Sequence, residues 1–189
     1  MKTFAELDSL NLVWLNVKGR SFQLRSVPEG VDPRHVSPND GELIATLKRS
    51  YWSSRAEVDA VGNRWTFERK IRFFKPTTIV IRSVGTGEEP AAFEQKWNGG
   101  TLTYADGRVF HWRTEGILQQ RYIWTSDDGT PLLGFEMKGI FKVRGAISIN
   151  SELEDHVDPH KAPPMLVFLG WYLILLAQDD AAAVVVAGS

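Results

Sequence analysis

The sequence predicts a mainly β protein: a closed antiparallel β-barrel of about twelve strands around a central hydrophobic C-terminal helix. Short runs of valine, isoleucine, threonine and aromatic residues alternate with polar residues, and glycine-containing turns separate these runs. One apolar segment without charge, residues 165–177, follows them. The length of 189 residues fits one domain, so we expect residues 1–189 to form a single barrel domain.

The strand predictions rest on turn chemistry. Glycine, asparagine and aspartate tolerate the backbone angles of tight hairpins, and they recur throughout the first 150 residues, which show no helical period. The proline-rich segment 28–38 is predicted to be a long loop. The predicted strands lie near 10–17, 21–27, 42–48, 54–61, 64–73, 77–83, 91–97, 101–105, 108–113, 119–125, 131–137 and 140–149.

Alternation along the strands predicts which side chains face the core. Between residues 64 and 73, the aromatic residues Trp65, Phe67 and Phe73 alternate with Lys70 and Arg72. Period-two patterning is typical of a sheet with one buried and one solvated face, so the aromatic side chains are expected to point inward. A meander of about a dozen such strands must stack into a sandwich or curl and close.

The apolar segment predicts a core helix over about residues 163–178. Pro163 and Pro164 suit the first helical turn, and Asp179 and Asp180 are expected to end the helix. About 16 residues span about 24 Å, which is short of a bilayer core of about 30 Å. A helix that is apolar on every side and too short to span belongs in a protein interior. A C-terminal membrane anchor remains the alternative.

Gly170 lies in the middle of this apolar segment, next to Trp171. Glycine inside a helix costs about 1 kcal/mol relative to alanine, so its presence needs a packing reason. We expect a strand to approach the helix closely at Gly170, with Trp171 buried inside the barrel.

Charge and composition exclude several classes of protein. The formal net charge is −1, so no global attraction to nucleic acid or to an anionic membrane is expected, and any basic site has to be local. The chain has no cysteine, which excludes a disulfide-linked partner and a cysteine nucleophile and is typical of a reducing compartment. Glu6 and Asp8 interrupt the N-terminal apolar pattern, unlike in a secretory signal. We expect a cytoplasmic protein.

The order of elements carries a family resemblance. Antiparallel strands followed by one very hydrophobic C-terminal helix, Leu-Gly-Trp-Tyr-Leu-Ile-Leu-Leu at 169–176, resemble the tubby C-terminal-like superfamily. This group includes Tubby domains, phospholipid scramblases and LURP-one-related proteins. The resemblance implies a barrel wrapped around the helix, and binding rather than turnover. In Tubby domains basic side chains on the barrel exterior hold phosphoinositide headgroups, and in scramblases an acidic calcium-binding segment precedes the helix.

Residues 152–160, Glu-Leu-Glu-Asp-His-Val-Asp-Pro-His, form the densest cluster of carboxylates and imidazoles. An EF-type calcium loop needs a glycine at position six and a glutamate at position twelve, and neither is in place. Pro159 also prevents a helical pairing of His156 with His160. We therefore predict a polar loop, with no metal site and no cofactor.

No catalytic residue is predicted. Histidine is scarce, and the sequence contains neither a Gly-x-Ser-x-Gly elbow nor a phosphate-binding loop. A nucleic-acid platform needs aromatic and basic residues on one solvated face, and the alternation around Lys70 argues against this. Core packing is expected to explain most of the tryptophans on or beside strands: Trp52, Trp65, Trp97, Trp112 and Trp124.

The candidate ligand-binding residues are Lys70 and Arg72, which are predicted to share the outward face of a strand, and Lys75 near its end. Each such cation contributes about 1 kcal/mol near an anionic surface. The alternative is a solubilising face paired with Glu68 and other acids.

These residues predict a non-enzymatic binding module. Its partner is expected to be a phospholipid or phosphoinositide headgroup or another protein, and the protein is expected in the cytoplasm or peripherally at a membrane. Three alternatives stay open: a small-ligand carrier barrel, a C-terminally membrane-anchored protein and, less favoured, a hydrolase that uses residues 152–160.

Overall fold

The computed structural model describes residues 11–28, 30–60, 62–115, 121–137, 144–149 and 164–187. These residues form an antiparallel sheet, a short 3-10 turn at Pro33–His35 and one C-terminal α-helix, α1, at Met165–Ala187. The prediction of a mainly β chain with a single hydrophobic C-terminal helix is confirmed. The strands are β1 Asn11–Lys18, β2 Ser21–Val27, β3 Glu42–Arg49, β4 Ala56–Ala60, β5 Asn63–Lys70, β6 Thr78–Ser83, β7 Ala91–Lys96, β8 Gly99–Tyr104, β9 Val109–Glu115, β10 Arg121–Ser126, β11 Pro131–Met137 and β12 Arg144–Ile149.

Each strand pairs antiparallel with its neighbours in the chain. The first strand also pairs with the last, since Trp14 of β1 lies opposite Leu24 of β2 on one side and Gly145 of β12 on the other. The strand order is β1-β12-β11-β10-β9-β8-β7-β6-β5-β4-β3-β2.

Successive hairpins of an antiparallel meander alternate between the two ends of the sheet. One end carries the connections 19–20, 50–55, 71–77 and 97–98, and we name it the basic end. The opposite end carries the connections that follow β2, β4, β6, β8 and β10, and we name it the acidic end. The charged residues that justify both names are described below.

Helix α1 packs against the inward side chains of the sheet. Every side chain from Met165 to Leu176 is buried. Trp171 stacks on Trp14 with ring centroids 5.5 Å apart, and Phe168 packs on Trp65 of β5 at 5.6 Å. Such aromatic pairs add about 0.5–1.5 kcal/mol beyond the area they bury. The prediction that Trp171 is buried is confirmed.

The helix is also long and apolar enough to cross a membrane, judged by length and composition over Met165–Val184, and 56% of that window is buried inside the protein. Core helices and membrane spans both meet this criterion. The aromatic contacts of the first half are those of a core helix.

The predicted C-terminal end of the helix is wrong, because α1 continues past Gln178 to Ala187. Asp179 and Asp180 lie within the helix, and arginines of the sheet bind both carboxylates. Arg49 pairs with Asp179, and Arg69 pairs with Asp180 at 2.7 Å. The alanines that follow are strong helix formers, so nothing in the local sequence ends the helix there.

The prediction for β5 is wrong at its C-terminal end. The strand stops at Lys70, which pairs with Thr78 of β6, and residues 71–77 leave the sheet as a connection. Phe73 was expected in the core and is instead 95% exposed. Phe67 is fully buried, so the alternation holds only while the strand stays in the ladder.

Gly170 meets aromatic side chains of the sheet. A Cβ atom at this position would lie 2.5 Å from Cζ of Phe135 and 2.9 Å from Nε1 of Trp124. Phe135 belongs to β11 and Trp124 to β10. The expected close approach is therefore present, but side chains of two strands make it rather than a strand backbone.

Replacing Gly170 by leucine should destabilise the protein by about 1–3 kcal/mol, because the new side chain would overlap Phe135 and Trp124. Ala182→Leu, on the exposed part of the same helix, is the control and should change the free energy of unfolding by less than about 0.5 kcal/mol. Urea unfolding followed by tryptophan fluorescence measures both. Equal unfolding free energies for the two variants would contradict the packing of α1 on β10 and β11.

Candidate functional site

Hydrogen bonds join the connections of the basic end into one surface. They run between residues that are distant in sequence and close where the strands end, so that neighbouring hairpins support one another. The bonds are Arg20 Nη1 to Ser50 O at 2.9 Å, Ser54 Oγ to Arg69 O at 3.1 Å and Gln95 N to Thr77 O at 2.8 Å.

Helix α1 leaves the sheet at this end. The hydroxyl of Tyr172 donates a hydrogen bond to the backbone oxygen of Ser54, in the connection between β3 and β4. Burial is the main cause that raises the pKa of Tyr172 to about 12, so the phenol stays protonated and keeps donating at neutral pH. Two turns later the ion pairs of Asp179 and Asp180 hold the helix to the edge of the sheet.

Basic residues are concentrated at this end of the sheet. The connections 19–20, 50–55, 71–77 and 97–98 contain no aspartate or glutamate. Strand ends next to them add further cations. The basic residues include Arg20, Arg55, Arg72 and Lys75 within the connections, and Lys18, Lys48, Arg49, Arg69, Lys70, Lys96 and Arg121 at the strand ends, where the acids Glu57 and Glu115 also lie.

The three predicted binding residues are all at the basic end, but not in the predicted arrangement. Lys70 is the last residue of β5 and is half-buried, whereas Arg72 and Lys75 are exposed on the connection 71–77. The expected shared strand face of Lys70 and Arg72 is therefore wrong, because the strand ends between them. Glu68, the expected acidic partner, lies 3.5 Å from Arg82 instead. Within the described part of the chain, Arg72 and Lys75 have no carboxylate at ion-pair distance.

Exposed aromatic side chains accompany these cations. Trp52 is 97% exposed, Phe74 105% and Trp97 95%, and Phe73 precedes Phe74 on the same connection. They occupy three connections of the basic end. The expectation of core packing is wrong for Trp52 and Trp97, and it is confirmed by burial for Trp112 and Trp124.

Sequence reasoning missed these aromatic residues because it placed them on or beside strands and expected core packing there. A signal was present, since each stands beside turn-forming residues: Ser53 and Ser54 follow Trp52, and Asn98-Gly99 follow Trp97. An aromatic residue at the tip of a hairpin lies beyond the ladder and cannot reach the core.

Phe74 has a backbone conformation that its side chain does not favour. Its φ angle is 61°, in the left-handed region that a bulky residue rarely adopts. The side chain is fully exposed, and its recorded ring contact is with the equally exposed Phe73, at 6.5 Å between centroids. Packing against the sheet therefore does not explain why a phenylalanine stands at this position.

The opposite end of the sheet carries the negative charge. Hydrogen bonds within the turns hold several of its carboxylates. The Ser126 hydroxyl and the Thr130 N–H donate hydrogen bonds to Asp128 and lower the pKa of its carboxyl group to about 2. The net charge of −1 thus hides a separation of charge along the sheet. The acidic residues in the described connections of this end are Asp32, Asp40, Glu88, Glu89, Asp106, Asp127 and Asp128.

A small cavity lies at the basic end beside α1. Its volume is about 100 Å³, and its lining includes Lys96 of β7, Trp97 of the connection 97–98, and Leu173 and Ala177 of the helix. Pockets for small-molecule ligands typically measure about 300–1,000 Å³. This cavity is therefore smaller than a typical small-molecule pocket.

Among the described residues, no group of three or more histidines, aspartates and glutamates could hold a metal ion. The segment 152–160 lies outside those residues, so its prediction stays a prediction. His111 lies between the buried Phe110 and Trp112, and its Nε2 atom is 3.3 Å from Oδ1 of Asp127. The histidine therefore points outward, because successive side chains alternate between the two faces of β9.

Comparisons of the chain with family models, with curated proteins and with solved structures found no match. The basic end combines unpaired cations with exposed aromatic side chains, a composition suited to binding an anionic surface.

Asp179→Asn should destabilise the protein by about 1–3 kcal/mol, because it leaves the buried Arg49 guanidinium without its counter-charge. Asp180→Asn is the matched control and should have a smaller effect, since Arg69 is 18% exposed and Arg49 only 6%. Thermal and urea unfolding measure both variants. A larger loss for Asp180→Asn would contradict the stronger role of the Arg49 pair.

Phe74→Asn should stabilise the protein by about 1 kcal/mol, because asparagine tolerates the left-handed conformation better than phenylalanine does. No packing is lost, since the ring is exposed. Phe73→Asn, on the same connection and without a positive φ angle, serves as the control and should leave the free energy of unfolding nearly unchanged. A destabilised Phe74→Asn variant would show that the ring packs in the free protein.

Proposed function

We propose that this protein is a non-enzymatic domain whose basic end binds the phosphorylated headgroups of an anionic membrane. The observation that carries the proposal is the separation of charge: the described connections of the basic end carry four cations and no acid, whereas those of the acidic end carry seven acids and two arginines. Arg72 and Lys75 are exposed and reach solvent on one connection, with Lys70 directly before it.

The energetics favour a binding role for these cations over a structural one. Exposed charges contribute about 0–1 kcal/mol to stability even when they are paired. Near an anionic membrane, in contrast, each lysine or arginine contributes about 1 kcal/mol of binding free energy. The cations of the basic end therefore have more effect on association with a membrane than on folding.

We further propose that the sheet is a closed β-barrel with α1 as its central helix. The pairing of β1 with β12 from Leu12 opposite Ile147 to Leu15 opposite Arg144 supports closure. The resemblance to the tubby C-terminal-like superfamily belongs to the same proposal, and it implies headgroup binding by basic side chains. In this chain the binding cations would lie at one end of the barrel rather than on its side.

The other functions considered from the sequence receive less support. A small-ligand carrier needs an internal cavity, and α1 fills the interior with the buried residues from Met165 to Leu176. A membrane anchor would place the whole apolar segment Met165–Val184 in lipid, but 56% of this segment is buried inside the protein. The hydrolase alternative depends on residues 152–160, which lie outside the described residues. A protein partner with an acidic surface is a second candidate, because it would meet the same cations.

Vesicle co-sedimentation tests the proposal. The chain should pellet with phosphatidylcholine vesicles that contain a multiply phosphorylated phosphoinositide, and more weakly with vesicles that contain only a singly charged lipid. Arg72→Gln with Lys75→Gln should weaken binding by about 30-fold, or about 2 kcal/mol for two cations. Binding should also fall as added salt shortens the Debye length from about 10 Å at 0.1 M to about 3 Å at 1 M.

The matched control is Arg64→Gln with Arg108→Gln, which removes two exposed cations from the acidic end. It should bind vesicles like the unmodified chain, and all three proteins should melt at nearly the same temperature. Equal pelleting of the Arg72 and Lys75 variant and the unmodified chain would refute the assigned residues. Failure of every protein to pellet at low salt would refute membrane binding itself.

A further inference from the structure

Four aromatic side chains project from the basic end without a packing role in the free protein. Trp52, Phe73, Phe74 and Trp97 are each at least 95% exposed, and they stand on three different connections. Single exposed apolar residues are ordinary on protein surfaces, whereas several large ones on neighbouring hairpins of one end favour a contact with a partner. Ile71, 75% exposed, lies on the same connection as Phe73 and Phe74.

We propose that this end inserts Trp52, Phe73, Phe74 and Trp97, together with the last turns of α1, into the interfacial layer of an anionic bilayer. The inference rests on the proposed function and goes further, because it assigns the aromatic residues a different task from the cations. The cations bind phosphates at the surface, whereas the aromatic rings enter the layer beneath it.

The chemistry of the side chains matches that layer. Tryptophan and phenylalanine bring large apolar rings, and tryptophan is enriched where membrane and water meet. Arg72 and Lys75 flank Phe73 and Phe74 on the same short connection, so that rings and cations reach a membrane together. No acid of the four connections would be carried into a negatively charged surface.

The geometry of α1 determines how deeply the basic end would enter the bilayer. Asp179 and Asp180 are held at the edge of the sheet by Arg49 and Arg69, so the pairs can lie at headgroup level without net charge. Residues 181–187, which contain only alanine and valine, continue beyond that level for about 10 Å. Amphipathic membrane-binding elements bury their apolar face about 5–10 Å deep, which this length matches.

The charges of the two ends determine which end of the protein would face the bilayer. An anionic bilayer attracts the basic end and repels the acidic one, so the aromatic tips face the lipid on arrival. A bilayer is also soft enough to admit several separate projections at once. Three aromatic connections around a protruding helix fit such a surface better than the preformed cavities of a protein partner.

Fluorescence quenching with the full chain tests insertion. The probes are vesicles of phosphatidylcholine and phosphatidylserine whose acyl chains carry bromine close to the headgroup. Bromine quenches tryptophans that enter the lipid, and Trp52 and Trp97 are the mostly exposed tryptophans of the described residues, whereas Trp14, Trp124 and Trp171 are fully buried. We expect quenching on binding, and its near-complete loss in Trp52→Phe with Trp97→Phe, which should still pellet with vesicles.

A second variant measures the contribution of the rings to affinity. Phe73→Ser with Phe74→Ser should weaken vesicle binding at least tenfold, or about 1.4 kcal/mol. The matched control, Val31→Ser with Val84→Ser, removes two partly exposed apolar side chains from the acidic end and should bind like the unmodified chain. The phenylalanine variant should fold normally, so its melting temperature checks that the loss arises from the interface.

The outcomes separate insertion from headgroup binding. Salt-sensitive pelleting without bromine quenching, and with unchanged affinity in the phenylalanine variant, would overturn insertion and leave the proposed function standing. No pelleting with any vesicle would overturn both. Dimers in sedimentation velocity that the phenylalanine substitutions abolish, without quenching by lipid, would overturn insertion and assign the aromatic end to a second copy of the chain.

Discussion

The structure depends on the burial of one apolar helix. From Met165 to Leu176 helix α1 has no charged side chain on any face, so it must be shielded on all sides. Aromatic residues of separate strands meet it, including Trp14 from β1, Trp65 from β5 and Phe135 from β11. A flat sheet covers only one side of a helix, so complete burial of α1 supports the proposal that the sheet curves and closes around it.

The same helix neutralises two of the cations at the basic end. Where α1 emerges, its two carboxylates meet Arg49 and Arg69, which are thereby committed to holding the helix. Other cations of this end, such as Arg72 and Lys75, have no such internal task. They add little to folding, and their electrostatic field faces outward, where it falls off over about 10 Å at 0.1 M salt. The structural role and the proposed binding role thus fall to different, neighbouring basic residues.

The connection 71–77 departs from what stability alone would favour. Phe74 combines an exposed ring with a left-handed backbone, and neither feature stabilises the free protein. Departures from local consistency of this kind are expected at functional sites, where a surface is shaped for a partner rather than for the fold. The acidic end shows the opposite case, since its turns use aspartates whose side chains bind nearby backbone N–H groups, as Asp128 does with Thr130.

The sequence alone determined the strands, most turns and the buried helix, because these follow from local patterns. Alternation identified Phe67 as inward, and a run without charge identified α1 as a core element. Gly170 indicated close packing because glycine is otherwise unfavourable there.

Only the tertiary structure decided where β5 ends, how far α1 continues and which hairpins share an end. The pairing of β5 with β6 ends at Lys70, so Phe73 lies outside the sheet and is exposed. Arg49 and Arg69 neutralise the carboxylates of Asp179 and Asp180, which otherwise signal the end of a helix. The basic end unites connections up to about 80 residues apart, and hairpin alternation across the whole sheet brings them together. No local pattern contains that information, because it depends on pairing between strands.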